Sequence, residues 1–379
     1  MWTPELRSWL EEAAREAGFD AAGVAGAGGA GDPVAAQEAA RFTAWVEAGH
    51  AGEMDYLKRR DEAGTLIRSG LQVAMPWARS VVVCALNYNA ESPRSIDSAA
   101  AGTGWIARYA WSGRTGEDGA TVPTDYHDEL LARLRKIEAG LLAQTGCTTR
   151  SYVDTGPLVE RSLAVQAGVG WIGKNTCVIR QGLGSWVLLG VIVTSLPVEE
   201  RAAALPAPDR CGSCTRCIDA CPTGALLGSR DPAAAREMDA SRCIAYLTIE
   251  KKGAIEEGLR GQIGRQVFGC DICQDVCPWN RKAPVGDREG MRARRELINP
   301  ALEWLAEMDG REFKRRFRGS PLERTGRKRL LRNVAIAMGN SGEGRFLPRL
   351  ESWRQGEDEV LAEAAEWARR KIGTDTSAS

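Results

Sequence analysis

The sequence predicts an α+β protein built in three parts, and three observations lead there. Over the first 200 residues, short apolar, β-branched runs alternate with amphipathic helix patterns. Eight of the eleven cysteines crowd between residues 211 and 277, and helical periodicity returns from about residue 295. At 379 residues with 44% hydrophobic side chains, the chain is long enough to bury two or three cores.

Taken in order, MWTPELRSWLEEAAREAGFD reads as an amphipathic helix with acidic residues rather than an export segment. SVVVCALNY (80–88), SYVDTG (151–156) and SWVLLGVIVTS (185–195) read as buried strands bounded by Gly, Pro or polar residues. Between the first two, DYHDELLARLRKIEAGLLAQTG (125–146) is a helix with a glycine stop. The Pro/Ala-rich LPVEERAAALPAPDR then marks a boundary near residue 200. Beyond the cysteines, RKRLLRNVAIAMGN and DEVLAEAAEWARRKI suggest helix pairs of a small helical-repeat unit. The expected divisions are residues 1–200, 201–290 and 291–379.

Lys plus Arg and Asp plus Glu are equal at 50 each, so no whole-molecule field draws the chain to nucleic acid. A local patch exists, however: from Arg311 to Arg332 ten Lys or Arg face two Glu. No apolar run approaches the length of a membrane span, and a cytoplasmic location is expected. In that reducing compartment, eleven cysteines point to metal sites rather than disulfides.

The run CGSCTRCIDACP contains Cys211, Cys214, Cys217 and Cys221-Pro222; GCDICQDVCPWN adds Cys270, Cys273 and Cys277-Pro278, with Cys243 alone between them. The C-x2-C-x2-C-x3-C-P run is the pattern that holds [4Fe-4S] clusters, and in two-cluster ferredoxins the last cysteine of each run crosses to the other cluster. That assigns Cys211, Cys214, Cys217 and Cys277 to one cluster and Cys221, Cys243, Cys270 and Cys273 to the other. Zinc sites also use four cysteines but lack this continuity. Two clusters so close form an electron wire, whose far end is expected in the first 200 residues. That part has no GxGxxG after a strand, so a dinucleotide fold has no support. Its two histidines are His50 and His127, and DYHDEL has Leu130 where the D-x-H-x-x-G signature of a cobalt-ligating histidine needs glycine.

At GHAGEMDYLKRR (49–60), YVDTGPLVERSLAVQAGVGWIGKN (152–175), SRCIAYLTIEKKGAI (241–255), LLRNVAIAMGN (330–340) and both cysteine runs, the sequence resembles the epoxyqueuosine reductase family. The resemblance covers nearly the whole chain in order. It implies a nitroreductase-like domain binding cobalamin base-off (1–200), a ferredoxin-like domain with two [4Fe-4S] clusters (201–290) and a HEAT-like helical-repeat domain that helps bind tRNA (291–379). The implied reaction is the last step of queuosine formation, reduction of epoxyqueuosine to queuosine at the tRNA wobble position. That step consumes two electrons and two protons and releases water. With no histidine ligand, cobalt can reach the Co(I) state, whose attack on the substrate is one route. A monomer served by an electron donor of the flavodoxin or ferredoxin type is the expected assembly.

The resemblance also implies roles for single residues. Asp154 matches the family's proton donor, which at neutral pH requires its pKa to be raised by burial; as a bare residue it reads equally as an Asx turn before Gly156-Pro157. Arg59 matches a cobalamin contact. Trp171, Lys174, Asn175, Val178 and Arg180 are expected along the corrin edge, and Tyr246 and Thr248 near the cofactor or the flipped nucleotide. Arg161 faces the substrate or pairs with Glu160. Lys314, Arg315, Arg316, Arg327, Lys328 and Arg329 are the expected tRNA contacts.

The chain departs from the family at GRDYH: RYAWSGRTGEDGATVPTDYH carries an insertion at 115–124. This puts in doubt any role copied onto His127, which is therefore not assigned one. Reductive dehalogenases, which join similar cofactors but carry an export signal, and a non-enzymatic electron carrier are the alternative readings.

Overall fold

The computed structural model describes residues 1–28, 32–116, 119–199, 207–229, 231 and 236–376. Ser80–Asn87 is buried along its whole length and stands second in a four-stranded antiparallel sheet. In chain order the strands are β1 Ala21–Gly26, β2 Ser80–Asn87, β3 Thr149–Tyr152 and β4 Val187–Thr194, and they lie side by side as β1-β2-β4-β3. Strand alternation sorts β2 onto two faces. Val82, Cys84 and Leu86 pack with Leu6, Leu10, Leu130 and Leu134, whereas Val81, Val83 and Ala85 pack with Leu71, Met75, Leu163 and Ala164. A strand covered on both sides reads as one continuous apolar run, as SVVVCAL does.

β1 escapes the sequence reading because AAGVAG has almost no β-branched content. Its Gly23 explains the composition: a Cβ there would stand 2.0 Å from the Ala167 carbonyl oxygen, at the end of the helix Glu160–Gln166. The expected helix at 125–146 forms over Tyr126–Thr145. Asp125 caps its start by accepting from the His127 amide at 3.0 Å, and Gly146 ends it at φ 62°.

The insertion at 115–124 folds as part of a β-hairpin, with residues 117–118 outside the described residues. Ser112–Thr115 pairs antiparallel with Thr121–Pro123 in a register that sets Gly113 opposite Pro123. Arg292–Ala293 adds a third strand. A hairpin returns the chain to where it left, so Asp125, Tyr126 and His127 resume close to Gly113. The insertion lengthens the connection without displacing the helix that begins at Tyr126.

From Leu302 onward the chain is helical, with Leu302–Glu307, Gly310–Phe317, Pro321–Ser341, Leu347–Arg354 and Glu359–Thr376 as its helices. Their core is shared with earlier segments: Ile106, Trp111, Ile244, Leu247 and Phe268 pack in one cluster with Leu302, Leu331, Val334 and Ala365. Polar ties reinforce the junction. Arg332, 1% exposed, donates to the carbonyls of Leu247 (2.7 Å), Lys251 (2.9 Å) and Gly253 (2.6 Å), and Asn333 donates to those of Thr248 (2.8 Å) and Val267 (2.9 Å). Burial lowers the Arg332 guanidinium to about 10, which leaves it charged at neutral pH.

Arg332→Met would leave those three carbonyls without their donor, at about 1 kcal/mol or more for each buried group. Denaturant unfolding is expected to show a loss on the order of 3 kcal/mol.

Candidate active site and cluster loops

The cysteine sulfurs influence one another electrostatically in two groups. Cys217 and Cys277 act electrostatically on each other and on Cys211, and Cys277 also on Cys214; Cys270 is influenced by Cys243 and Cys221, and Cys273 by Cys270 and Cys243. Burial pushes Cys217 up to about 12 and Cys277 to about 11, so iron is needed to make thiolates of them. Backbone N–H groups of Ala245 and Tyr246 point at the Cys243 sulfur from the start of the helix Ile244–Ile249. Among the described residues no three such side chains are close enough to share a single ion, as suits ligands spread around a cluster. Cys177 adds a ninth thiol, hydrogen-bonded to Cys273 and felt by Cys243 and Cys277.

The GWIGKN residues pack beside this region. Trp171 packs edge-on against Trp279 at 5.0 Å, its buried Nε1 without a hydrogen-bond partner among the described residues; Lys174, 1% exposed, donates to the Gly212 carbonyl at 2.8 Å. Asn175 accepts from the Cys177 amide at 3.2 Å, while its buried Nδ2 has no partner among the described residues. Val178 lies in the core, and Arg180 donates to the Val169 carbonyl at 2.9 Å. Tyr246 and Thr248 are likewise internal. The Tyr246 hydroxyl accepts from the Glu53 amide at 2.8 Å; the Thr248 hydroxyl donates to the Ile244 carbonyl at 2.7 Å and accepts from the Gly269 amide at 2.9 Å. Arg161 donates to the Thr176 carbonyl at 2.8 Å, and does not form the alternative pair with Glu160. Arg59 is exposed, with no side-chain bond or ion pair among the described residues.

Asp154 lies two residues past the end of β3, in the left-handed region at φ 57°. Its amide donates to Glu160 Oε1 at 2.8 Å, and its Oδ2 accepts from the Tyr126 hydroxyl at 3.1 Å with His127 Nε2 3.7 Å away. The side chain is 70% exposed, yet its charge is felt by Tyr56, Tyr109, Tyr126 and Glu160 of the first 200 residues and by Glu250 beyond them, which together border an open cleft.

The expected upward shift of Asp154 is not found. The His127 ring, 3.7 Å away, holds the carboxyl below its ordinary value against the opposing effect of burial, with Tyr126 and Arg161 acting the same way. Glu160 moves oppositely: burial, then the Asp154 charge, push it up to about 8. His127, left without a role by the sequence, stands at the centre. Its Nδ1 lies 2.6 Å from Asp125 Oδ1, and its Nε2 accepts from Arg324 Nη1 at 2.8 Å. The signal was present in DYH, where an aspartate that caps the helix also reaches the ring two residues on.

The basic patch is partly committed. Arg315 and Arg316 pair with Glu312, Arg327 donates to the Met308 carbonyl at 2.7 Å, and Arg329 donates to the Thr325 and Ile249 carbonyls, each at 2.7 Å. Lys328 stays 86% exposed beside Asp358, and Arg311, Lys314 and Arg318 are exposed.

Comparison with known proteins agrees with this arrangement. A family model described as epoxyqueuosine reductase QueG, DUF1730, matches residues 68–155, and one described as 4Fe-4S double cluster binding domain matches residues 210–280. An epoxyqueuosine reductase of Xanthomonas campestris is 38% identical over 95% of this chain and 94% of its own length. The chain belongs to the epoxyqueuosine reductase family. An Escherichia coli member is 33% identical over 96% of this chain and 89% of its own. A crystal structure of epoxyqueuosine reductase with an epoxyqueuosine-modified tRNA stem loop superposes at a TM-score of 0.82, with 30% identity, over 97% of this chain and 90% of that one. A Bacillus subtilis epoxyqueuosine reductase, solved with its catalytic aspartate loop swung out of the active site, gives 0.79 at 30% identity over the same shares of the two chains. Like them, this chain is an oxidoreductase with a 4Fe-4S double-cluster domain.

Two substitutions probe the site. Cys243→Ser is expected to lower reconstituted iron from about eight to about four atoms per chain, whereas Cys177→Ser keeps both clusters, as read by iron analysis. The folded pKa of Glu160 lies above its unfolded value, so its stability contribution is complete below the unfolded pKa of about 4.3 and is lost as pH rises through about 8. Glu160→Gln retains the acceptor and is expected to flatten the fall of Tm between about pH 5 and 8.

Proposed function

We propose that this protein reduces the epoxide of epoxyqueuosine, at the wobble position of tRNA, to the alkene of queuosine, using base-off cobalamin fed by two [4Fe-4S] clusters. The observation that carries the reading is the juxtaposition of a solvent-open Asp154 with its His127 and Tyr126 partners and a cysteine framework matching a double-cluster model. The relative solved with a modified tRNA stem loop supports the substrate.

The residues fit a large amide-fringed ring: Arg59 is exposed without a side-chain partner among the described residues, Tyr56 is 47% exposed, and the buried Asn175 Nδ2 lacks an acceptor. Of the two histidines, His127 is held by Asp125 and Arg324, and His50 packs edge-on against Trp45. When bound, cobalamin supplies a centre that stores singly delivered electrons. The rest falls to the chain. Asp154, ionised at rest, relays a proton from the neighbouring His127 to the oxygen leaving the substrate, and Tyr126 fixes the Oδ2 through which it passes. Exposed Arg311, Lys314, Arg318 and Lys328 meet RNA phosphates, while the base is drawn from its stack into the cleft. The protein works as a cytoplasmic monomer supplied by a flavodoxin- or ferredoxin-type donor; among the described residues no helix is long and apolar enough to cross a membrane.

Anaerobic incubation of the reconstituted protein with cobalamin, a strong one-electron reductant and tRNA bearing epoxyqueuosine, followed by nucleoside mass spectrometry, tests the reading. Cobalamin-dependent queuosine is expected, with Asp154→Asn slower by about 100-fold or more. No conversion by protein with intact clusters and bound cobalamin overturns it.

A further inference from the structure

Arg324 does not behave as a member of the basic patch. It lies in the short segment Pro321–Thr325, separated from the long helix that follows by Gly326 at φ 72°, ψ 157°. Its side chain is 50% exposed on one side. On the other, Nη2 donates to Asp125 Oδ2 at 2.8 Å and Nη1 to His127 Nε2 at 2.8 Å. A guanidinium can only donate. The Nε2 atom it faces must therefore carry a lone pair, and the single ring proton lies on Nδ1, directed at Asp125 Oδ1 2.6 Å away.

This arrangement opposes the other charges around the ring. Asp125 on one side and Asp154 on the other favour a doubly protonated imidazole, and their hydrogen bonds outweigh burial in raising the His127 pKa. Beyond them stand the Tyr126 and Tyr109 phenols, Glu160 behind the Asp154 amide, and Arg161, whose charge acts on Asp154. Among these neighbours, Arg324 alone competes for Nε2.

We propose that Arg324 is an RNA-responsive cap on His127: with no RNA bound it occupies Nε2, and a backbone phosphate of bound tRNA draws it away so that Nε2 carries a proton facing Asp154. The proposal rests on the tRNA reading above. A phosphate suits a half-exposed guanidinium because two oxygens accept its fork together, and exposed Lys314, Arg318 and Lys328 belong to the same basic segment. Once Arg324 leaves, the Nε2–H proton moves to the Asp154 carboxylate at Oδ2 and from there to the substrate oxygen, and a solvent proton restores Nε2–H. Proton delivery is thereby tied to occupancy by RNA. Arg324 is a positioning residue here, acting through His127.

With two histidines in the chain, ¹⁵N NMR of the imidazoles reads the state of His127 in the full, cluster-loaded protein, and His50→Gln assigns the signals. Without RNA, His127 is expected as the neutral Nδ1–H form at about pH 7. A saturating unmodified anticodon stem-loop RNA is expected to protonate Nε2 and raise the pKa by about one unit or more, with His50 unmoved. Arg324→Gln should show the RNA-bound pattern without RNA, and Arg324→Lys, charged but unforked, an intermediate one. Nε2 already protonated in the free wild type, an unchanged tautomer in Arg324→Gln, or bound RNA that leaves His127 unmoved each overturns the proposal while leaving the proposed reaction standing. Failure of the stem loop to bind removes both.

Discussion

The placement of the short helix Ile244–Ile249 is the constraint on which the rest of the molecule depends. It begins just after Cys243, within the double-cluster domain, and every side of it is tied to a different part of the chain. Tyr246 accepts from the Glu53 amide in the GHAGEMDYL loop; Thr248 accepts from the Gly269 amide, next to Cys270; Arg329, Arg332 and Asn333 of the long C-terminal helix hold its carbonyl end. So short a helix has little stability alone. It persists because its unpaired end carbonyls find donors in a buried setting, where leaving them empty is costly. The C-terminal helices thus act on the clusters as well as offering cations to a partner.

The cleft shows how one set of neighbours gives ionisable groups opposite tendencies. Asp154 and Glu160 are six residues apart and joined by the Asp154 amide, yet one carboxyl is held low by His127 and the other pushed high by burial and by its neighbour's charge. Such divergence is what separates a group that holds charge from one that holds a proton. The left-handed backbone at Asp154 is kept by this same amide contact.

Much was legible in the sequence because it depends on local spacing. The apolar runs of β2 and β4 and the Asp125-to-Gly146 helix come from periodicity and caps. β1 was not legible, since its glycine answers to Ala167, 144 positions further along the chain. Nor were the polar contacts of Lys174, Tyr246 and Thr248, whose side chains bond to protein groups far away in sequence or a turn back along the helix.

The cysteine framework was therefore determined by the sequence alone, because it is a matter of residue type at fixed intervals, and the candidacy of Asp154 as acid came with the motifs that carry the family resemblance. What only the tertiary structure decided is which long-range partner each charge meets. A hairpin across residues 115–124 restores His127 to Asp154, and Arg324, nearly two hundred residues away in sequence, reaches the same ring. Electrostatic state is set by distance in space, and the fold alone supplies those distances.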